Sequence, residues 1–177
     1  MLDKPVNSYV AVYITVSTGV GCGIIIDGRI YQGTRGNAGE FGHICVQPGG
    51  VLCSCGNRGC LEAYCSGSAI ERISGHDAKT LAKAARDGAA AATAVWNEMG
   101  ARLGQGISIL IQLLDPEVIV LGGGVSNDYD LFEQSLMSSV KEHTYGSICP
   151  PGIRKAELAP LSGIYGMGKL ACNKYIL

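Results

Sequence analysis

Hydrophobic positions along this chain fall first into short continuous runs and later into helical spacing. Residues Tyr9 to Val16 (Y-V-A-V-Y-I-T-V) are β-branched and aromatic with little polar interruption, the composition of a central strand buried on both faces. Ser17 to Gly23 (S-T-G-V-G-C-G) follows, then I-I-I-D-G-R-I-Y. Asp27-Gly28 between two apolar runs predicts a two-residue type I′ hairpin. The pattern is strand, glycine turn, strand, Asp-Gly turn, strand. That unit is antiparallel, unlike the strand–loop–helix of a Walker or Rossmann phosphate loop.

Helical patterning starts near Glu62, where L-E-A-Y reads as a helix start. Ser66-Gly67-Ser68 reads as a break, as does Ser74-Gly75-His76-Asp77, in which Asp77 is a candidate N-cap for A-K-T-L-A-K-A-A-R. Between Gly88 and Leu114, Val95, Met99, Leu103, Ile107, Leu110, Ile111 and Leu114 recur at helical spacing. Gly100, Gly104 and Gly106 each weaken such a helix by about 1 kcal/mol relative to alanine, which predicts close helix–sheet packing there. Trp96 reads as core or interface, and Asp115-Pro116 stops the helix. Glu117 to Leu121 is a buried strand of the parallel kind, and Tyr129 to Lys141 is a helix with Leu131, Phe132, Leu136 and Val140 inward. Between them stand Gly122, Gly123 and Gly124. Strand, glycine turn and helix bring backbone close to a nucleotide. A plain β–α connection is the alternative, although three glycines exceed its needs. Cys149-Pro150-Pro151-Gly152 predicts a rigid loop, Ile153 to Leu161 an edge strand, and Ser162 to Leu177 a last helix.

At 177 residues the chain lies in the one-domain range. Only 16% of residues are charged, against about 25% in typical domains, so part of the surface is expected to be covered by a partner or by a missing part of the molecule. A net charge of -1 gives no electrostatic basis for nucleic-acid binding. No run approaches the roughly 20 apolar residues of a membrane span, and M-L-D-K-P lacks a signal-peptide pattern. Eight cysteines without a secretory signal point to a reducing, cytoplasmic setting.

The densest chemistry lies between His43 and Glu62 (H-I-C-V-Q-P-G-G-V-L-C-S-C-G-N-R-G-C-L-E). His43, Cys53, Cys55 and Cys60 make a complete Cys3His set for tetrahedral zinc. Crowded thiolates repel one another unless a cation or a covalent bond neutralises them. The competing readings are a disulfide with a spare thiol, three unrelated buried cysteines, and an iron–sulfur cluster recruiting Cys45 or Cys65. Cys-x-Cys pairs bridge poorly and the setting is reducing, which favours zinc.

Other candidates are less specific. The turn at Ser17, Thr18, Gly19 and Gly21 can aim backbone N–H groups at phosphate oxygens, or it is a hairpin that needs glycine for its backbone angles. Glu40 lies three residues before His43, so a helical turn would face both the same way; otherwise it is a solvated carboxylate. Glu62 suits the first turn of any helix.

Together these motifs resemble the ROK family of sugar kinases and sugar-responsive repressors, in order and over nearly the whole chain. G-N-A-G-E-F-G-H resembles the family's sugar-binding segment and C-S-C-G-N-R-G-C-L-E its zinc signature. V-S-T-G-V-G-C-G-I-I-I-D-G resembles its second phosphate motif, with Cys22 in place of the usual glycine, and V-I-V-L-G-G-G-V-S its adenosine motif. The resemblance implies an α/β, actin-like (ribonuclease H-like) lobe: a mixed sheet flanked by helices, with a zinc-binding loop at 43–62. It implies ATP-dependent phosphorylation of a hexose or N-acetylhexosamine hydroxyl, with Mg2+ accompanying ATP in the complete enzyme. Glu40, His43 and Glu62 would then bind sugar, with structural zinc on His43, Cys53, Cys55 and Cys60. Ser17, Thr18, Gly19 and Gly21 would lie along the phosphates, and Gly123 and Gly124 near the adenosine.

No D-x-G-G-T first phosphate motif and no N-D segment carrying the general-base carboxylate are found; Asp3 and Asp27 lie in other contexts. The expectation is a C-terminal lobe with the N-terminal lobe absent from this chain, little or no activity alone, and a homodimer or the other lobe as partner. A fragment, a truncated gene product and half of a two-chain enzyme all fit that expectation. E-A-Y-C-S-G-S is closer to the kinases. The sugar-sensing effector lobe of a ROK transcriptional repressor is the alternative, and a zinc-stabilised dimerisation module a third.

Overall fold

Strand β1 (Val10–Val16) is the centre of a five-stranded sheet of order β3-β2-β1-β4-β5. The structure, a computed structural model, describes residues 9–146 and 148–157. β2 (Val20–Ile26) folds back antiparallel on β1, and β3 (Arg29–Ile30) follows the Asp27-Gly28 turn, whose residues both have positive φ. Asp27 secures that turn by accepting the Tyr9 N–H on its carboxylate at 2.9 Å. β4 (Val118–Gly122) runs parallel to β1 on its other side, and β5 (Gly152–Lys155) parallel to β4 at the edge.

The predicted strand–turn–strand unit is therefore present. The glycine turn is narrower than Ser17 to Gly23, because Gly21 and Gly23 already belong to β2. Burial of β1 is also less symmetrical than its composition predicts. Val12, Ile14 and Val16 join the core with Ile119, Leu121 and the helices, while Tyr13 and Thr15 on the alternate face are half-buried.

Among the described residues five α-helices accompany the sheet: α1 (Glu62–Cys65), α2 (Gly67–Ser74), α3 (Ala78–Arg86), α4 (Ala90–Leu114) and α5 (Glu133–His143). Asp77 caps α3 by accepting the Thr80 N–H at 2.7 Å. Ser66 caps α2 in the same way, accepting from Ala69, so the supposed break at Ser66-Gly67-Ser68 is the start of a helix. A 3-10 segment, Val125–Leu131, fills the space after the glycine run, so the following α-helix spans Glu133–His143 rather than Tyr129–Lys141. Phe132, Leu136 and Val140 are fully buried as expected. The described edge strand ends at Lys155, and Ser162 to Leu177, where a last helix is expected, lies outside the described residues.

Trp96 is fully buried and stacks on Phe132 with ring centroids 5.9 Å apart. Of the α4 glycines, Gly100 and Gly104 serve helix–helix packing and Gly106 lies against Leu61 and Phe41; none makes the helix–sheet contact expected of them. A Cβ at Gly104 would stand 2.4 Å from the Leu136 carbonyl oxygen, and one at Gly100 would meet Ser135 and Phe132, all three on or beside α5. Gly104→Ala is accordingly expected to destabilise the chain by about 1–3 kcal/mol in urea denaturation, the usual cost of overpacking. At an unobstructed helix position the same change stabilises by about 1 kcal/mol, so the sign alone tests the packing.

Candidate functional site

The loop between the 3-10 turn Phe41–His43 and α1 is held from within and from below. Cys45 bridges Cys60 and Leu52 bridges Arg58 in antiparallel pairs, and the Cys53 N–H donates to Asn57 O at 2.8 Å. Gly59 has φ +81 and lies against the Gln47 carbonyl, a position with no room for a Cβ. Buried Phe41, Val46 and Leu61 root the loop in the core. Arg102 and Gln105 of α4 donate to the Gln47 side chain and the Val46 carbonyl.

This framework brings one ligand atom from each of His43, Cys53, Cys55 and Cys60 within 4.8 Å of one another. The His43 Nδ1 is 3.7 Å from the Cys53 Sγ, and the Cys55 and Cys60 sulfurs are 3.6 Å apart, all as free thiols. Such a group can hold a metal ion. Neither alternative fourth thiol is part of it, since Cys45 donates to the Arg58 carbonyl and Cys65 to the Met99 carbonyl. Burial, reinforced by the two neighbouring thiols, pushes Cys60 up to about 12. A backbone hydrogen bond involving Asn57 is the main influence that draws the exposed Cys55 below the ordinary thiol range. Without a cation this cluster keeps its buried proton.

The other His43 nitrogen, Nε2, faces the Glu40 carboxylate at 3.9 Å. Glu62 sits half-buried at the start of α1. Its Oε2 accepts the Val20 N–H at 3.0 Å, and its Oε1 lies 3.4 Å from the Ser54 hydroxyl. A cavity of about 410 Å³ is lined by Thr18, Gly19, Cys53, Ser54, Glu62 and Ser68 among others; Glu40 and His43 are not in its lining. A second cavity, about 580 Å³, brings Ser17, Thr18 and Gly124 together with Gly67, Ser68 and the start of α3. Gly19 belongs to the first cavity, and Gly21 is a strand residue beside Thr15. Gly123, at φ +90, packs under the Val16 backbone.

Sequence reasoning missed three features here. One is the contact of Glu62 with the hairpin. Another is Ser68, whose hydroxyl donates to the Thr18 carbonyl at 2.9 Å. The last is Arg86, which holds Asp128 at 2.8 Å and Asp130 at 2.9 Å and so ties α3 to the segment after the glycine run. None of the three has a local signal, whereas the Ser66 cap of α2 does, a serine three residues before the apolar Ala69-Ile70 pair.

No helix among the described residues is long and apolar enough to cross a membrane. The chain is 33% identical over 183 residues to a glucokinase of Streptomyces coelicolor, an alignment covering 89% of this chain and 58% of that protein. It is 40% identical over 131 residues to the DNA-binding transcriptional dual regulator NagC of Escherichia coli, covering 66% of this chain and 32% of the regulator. A ROK family glucokinase from Streptomyces griseus, solved with glucose and AMPPNP, superposes with a TM-score of 0.84 at 32% identity. That likeness covers 94% of this chain and 61% of the other. The chain thus spans less than two-thirds of the length of each of these relatives. The ROK family model itself matches residues 4–174, and with the sheet, the Cys/His cluster and these relatives in agreement, the chain belongs to the ROK family.

Proposed function

We propose that this chain is the C-terminal lobe of an ATP-dependent, glucokinase-like kinase acting on a hexose or an N-acetylhexosamine. The observation that carries the reading is the orientation of His43, with Nδ1 toward the thiol cluster and Nε2 toward Glu40. Metal ligation through one ring nitrogen fixes the tautomer and leaves the other as a positioned N–H donor for a sugar oxygen. Glu40 and Glu62 accept from sugar hydroxyls. The donor set of three thiols and an imidazole suits zinc in a closed structural site, where the ion aims the sugar and stays apart from the chemistry. Ser17, Thr18, Gly19 and Gly21 lie along the phosphates of ATP, which arrives with Mg2+, and Gly123 and Gly124 near its adenosine.

Phosphoryl transfer rests on positioning and charge neutralisation, yet the sugar hydroxyl still needs a proton acceptor. That carboxylate and the first phosphate motif come from an N-terminal lobe outside these 177 residues, so this chain alone has little or no kinase activity. It works in the cytoplasm as a homodimer or against that lobe.

Calorimetric titration with glucose, mannose and their N-acetylamino counterparts, and separately with AMPPNP, tests the reading. Heat with a sugar and with AMPPNP is expected, and no heat with any sugar would overturn it. The 40% identity to NagC favours one second reading, a repressor's effector lobe, which predicts sugar binding without nucleotide binding.

Zinc affinity is expected to rise with pH. The metal must displace the proton that burial holds on Cys60 up to about 12, so each proton released strengthens binding by up to about tenfold per pH unit. Competition with a chromophoric chelator between pH 6 and 8 measures the slope.

A further inference from the structure

Among the described residues the turn Ser17–Gly19 has one backbone bond within itself, from the Ser17 N–H to the Gly19 carbonyl, and Ser17 and Thr18 are exposed. Its other anchors come from one short stretch, Glu62–Ser68, that begins two residues after Cys60. The Val20 N–H donates to Glu62 Oε2, the Gly67 N–H donates to the Ser17 carbonyl at 2.6 Å, and the Ser68 hydroxyl donates to the Thr18 carbonyl. Gly19 passes so close to Glu62 that a Cβ there would stand 2.6 Å from Oε2.

The two oxygens of Glu62 are divided between two tasks. Oε2 is committed to the hairpin, whereas Oε1 meets Ser54 at a long 3.4 Å and is free to exchange that partner for a sugar hydroxyl. The bonded pair Thr18 and Ser68 lines both cavities and so forms the partition between them.

Resting on the sugar-kinase reading, we propose that Glu62–Ser68 couples the sugar site to the nucleotide turn, so that each ligand tightens the other, with Ser68 as a positioning residue. A sugar held on Glu62 fixes the carboxylate that fixes Val20. A nucleotide on the turn fixes the same bond from the other side. By linkage the two effects are equal.

The test is calorimetry on the zinc-loaded 177-residue chain, titrating the sugar that binds best with and without saturating AMPPNP. AMPPNP is expected to tighten sugar binding by about 5–20-fold, within the usual range of coupling. Ser68→Ala should keep its zinc and thermal midpoint and reduce the coupling, read as the ratio of its own sugar affinities with and without AMPPNP, to below about twofold. Ser68→Thr, which retains the hydroxyl, should keep the coupling. Equal sugar affinity with and without bound AMPPNP, or parental coupling in Ser68→Ala, would overturn the proposal. Sugar heat without AMPPNP heat overturns the kinase reading and the coupling with it; no sugar heat at all overturns every sugar-binding reading.

Discussion

Removing zinc, by chelation or by Cys60→Ser, is expected to lower the thermal midpoint of this chain by about 8–16 °C. Structural zinc contributes about 10–16 kcal/mol of apparent binding energy in small modules. Here the loop is also rooted by Phe41, Val46 and Leu61, so only part of that energy is at stake. A loss of about 4 kcal/mol corresponds to that shift in a chain of this size. Cys60 is the informative ligand because it is only 1% exposed and has Cys55 and Cys53 for neighbours. A serine there leaves the remaining thiols without a complete donor set. Cys45→Ser is the control, since Cys45 is exposed and its thiol donates to the Arg58 carbonyl, outside the Cys/His cluster; its midpoint should stay within about 2 °C, as for most surface substitutions. Scanning calorimetry with and without chelator reads all three, and an unchanged midpoint for Cys60→Ser would remove zinc from the account of the fold.

Glu62→Ala is expected to weaken sugar binding by about 10–150-fold while leaving one zinc bound. The change deletes a charged acceptor, and a hydrogen bond to a charged group contributes about 1.5–3 kcal/mol. It also strips the Val20 N–H of its acceptor, so the hairpin loosens at the same time. Zinc should persist because Glu62 is not among the four clustered side chains. Calorimetry with the preferred sugar measures the loss. An affinity within about threefold of the parent would take Glu62 out of the sugar site.

What could be read from residues alone follows the range of the interactions involved. The hairpin was legible because Asp27-Gly28 and the apolar runs beside it act over a few positions. The Cys/His cluster was legible because crowded thiols demand a neutralising partner whatever the tertiary structure. The link between Glu62 and Val20 joins residues 42 positions apart, and nothing local announces it. Arg86 with Asp128 and Asp130 is the same case at 42 and 44 positions. Gly100 and Gly104 announced a close neighbour but not its identity, which depends on where α5 is laid against α4. Helix α2 was obscured because Ser66, Gly67 and Ser68 suit a break and a helix N-terminus equally. The segment after Gly124 forms a 3-10 turn first, and the α-helix therefore begins later than its apolar spacing predicts. The two cavities meet at Thr18 and Ser68, a junction that only the folded chain assembles.

X-ray absorption at the zinc edge, with metal analysis, tests most directly whether His43, Cys53, Cys55 and Cys60 hold a zinc ion. One zinc per chain is expected, with one nitrogen at about 2.0–2.1 Å and three sulfurs at about 2.3 Å. Protein purified under reducing conditions without bound zinc, or a shell of oxygen ligands in place of sulfur, would contradict it.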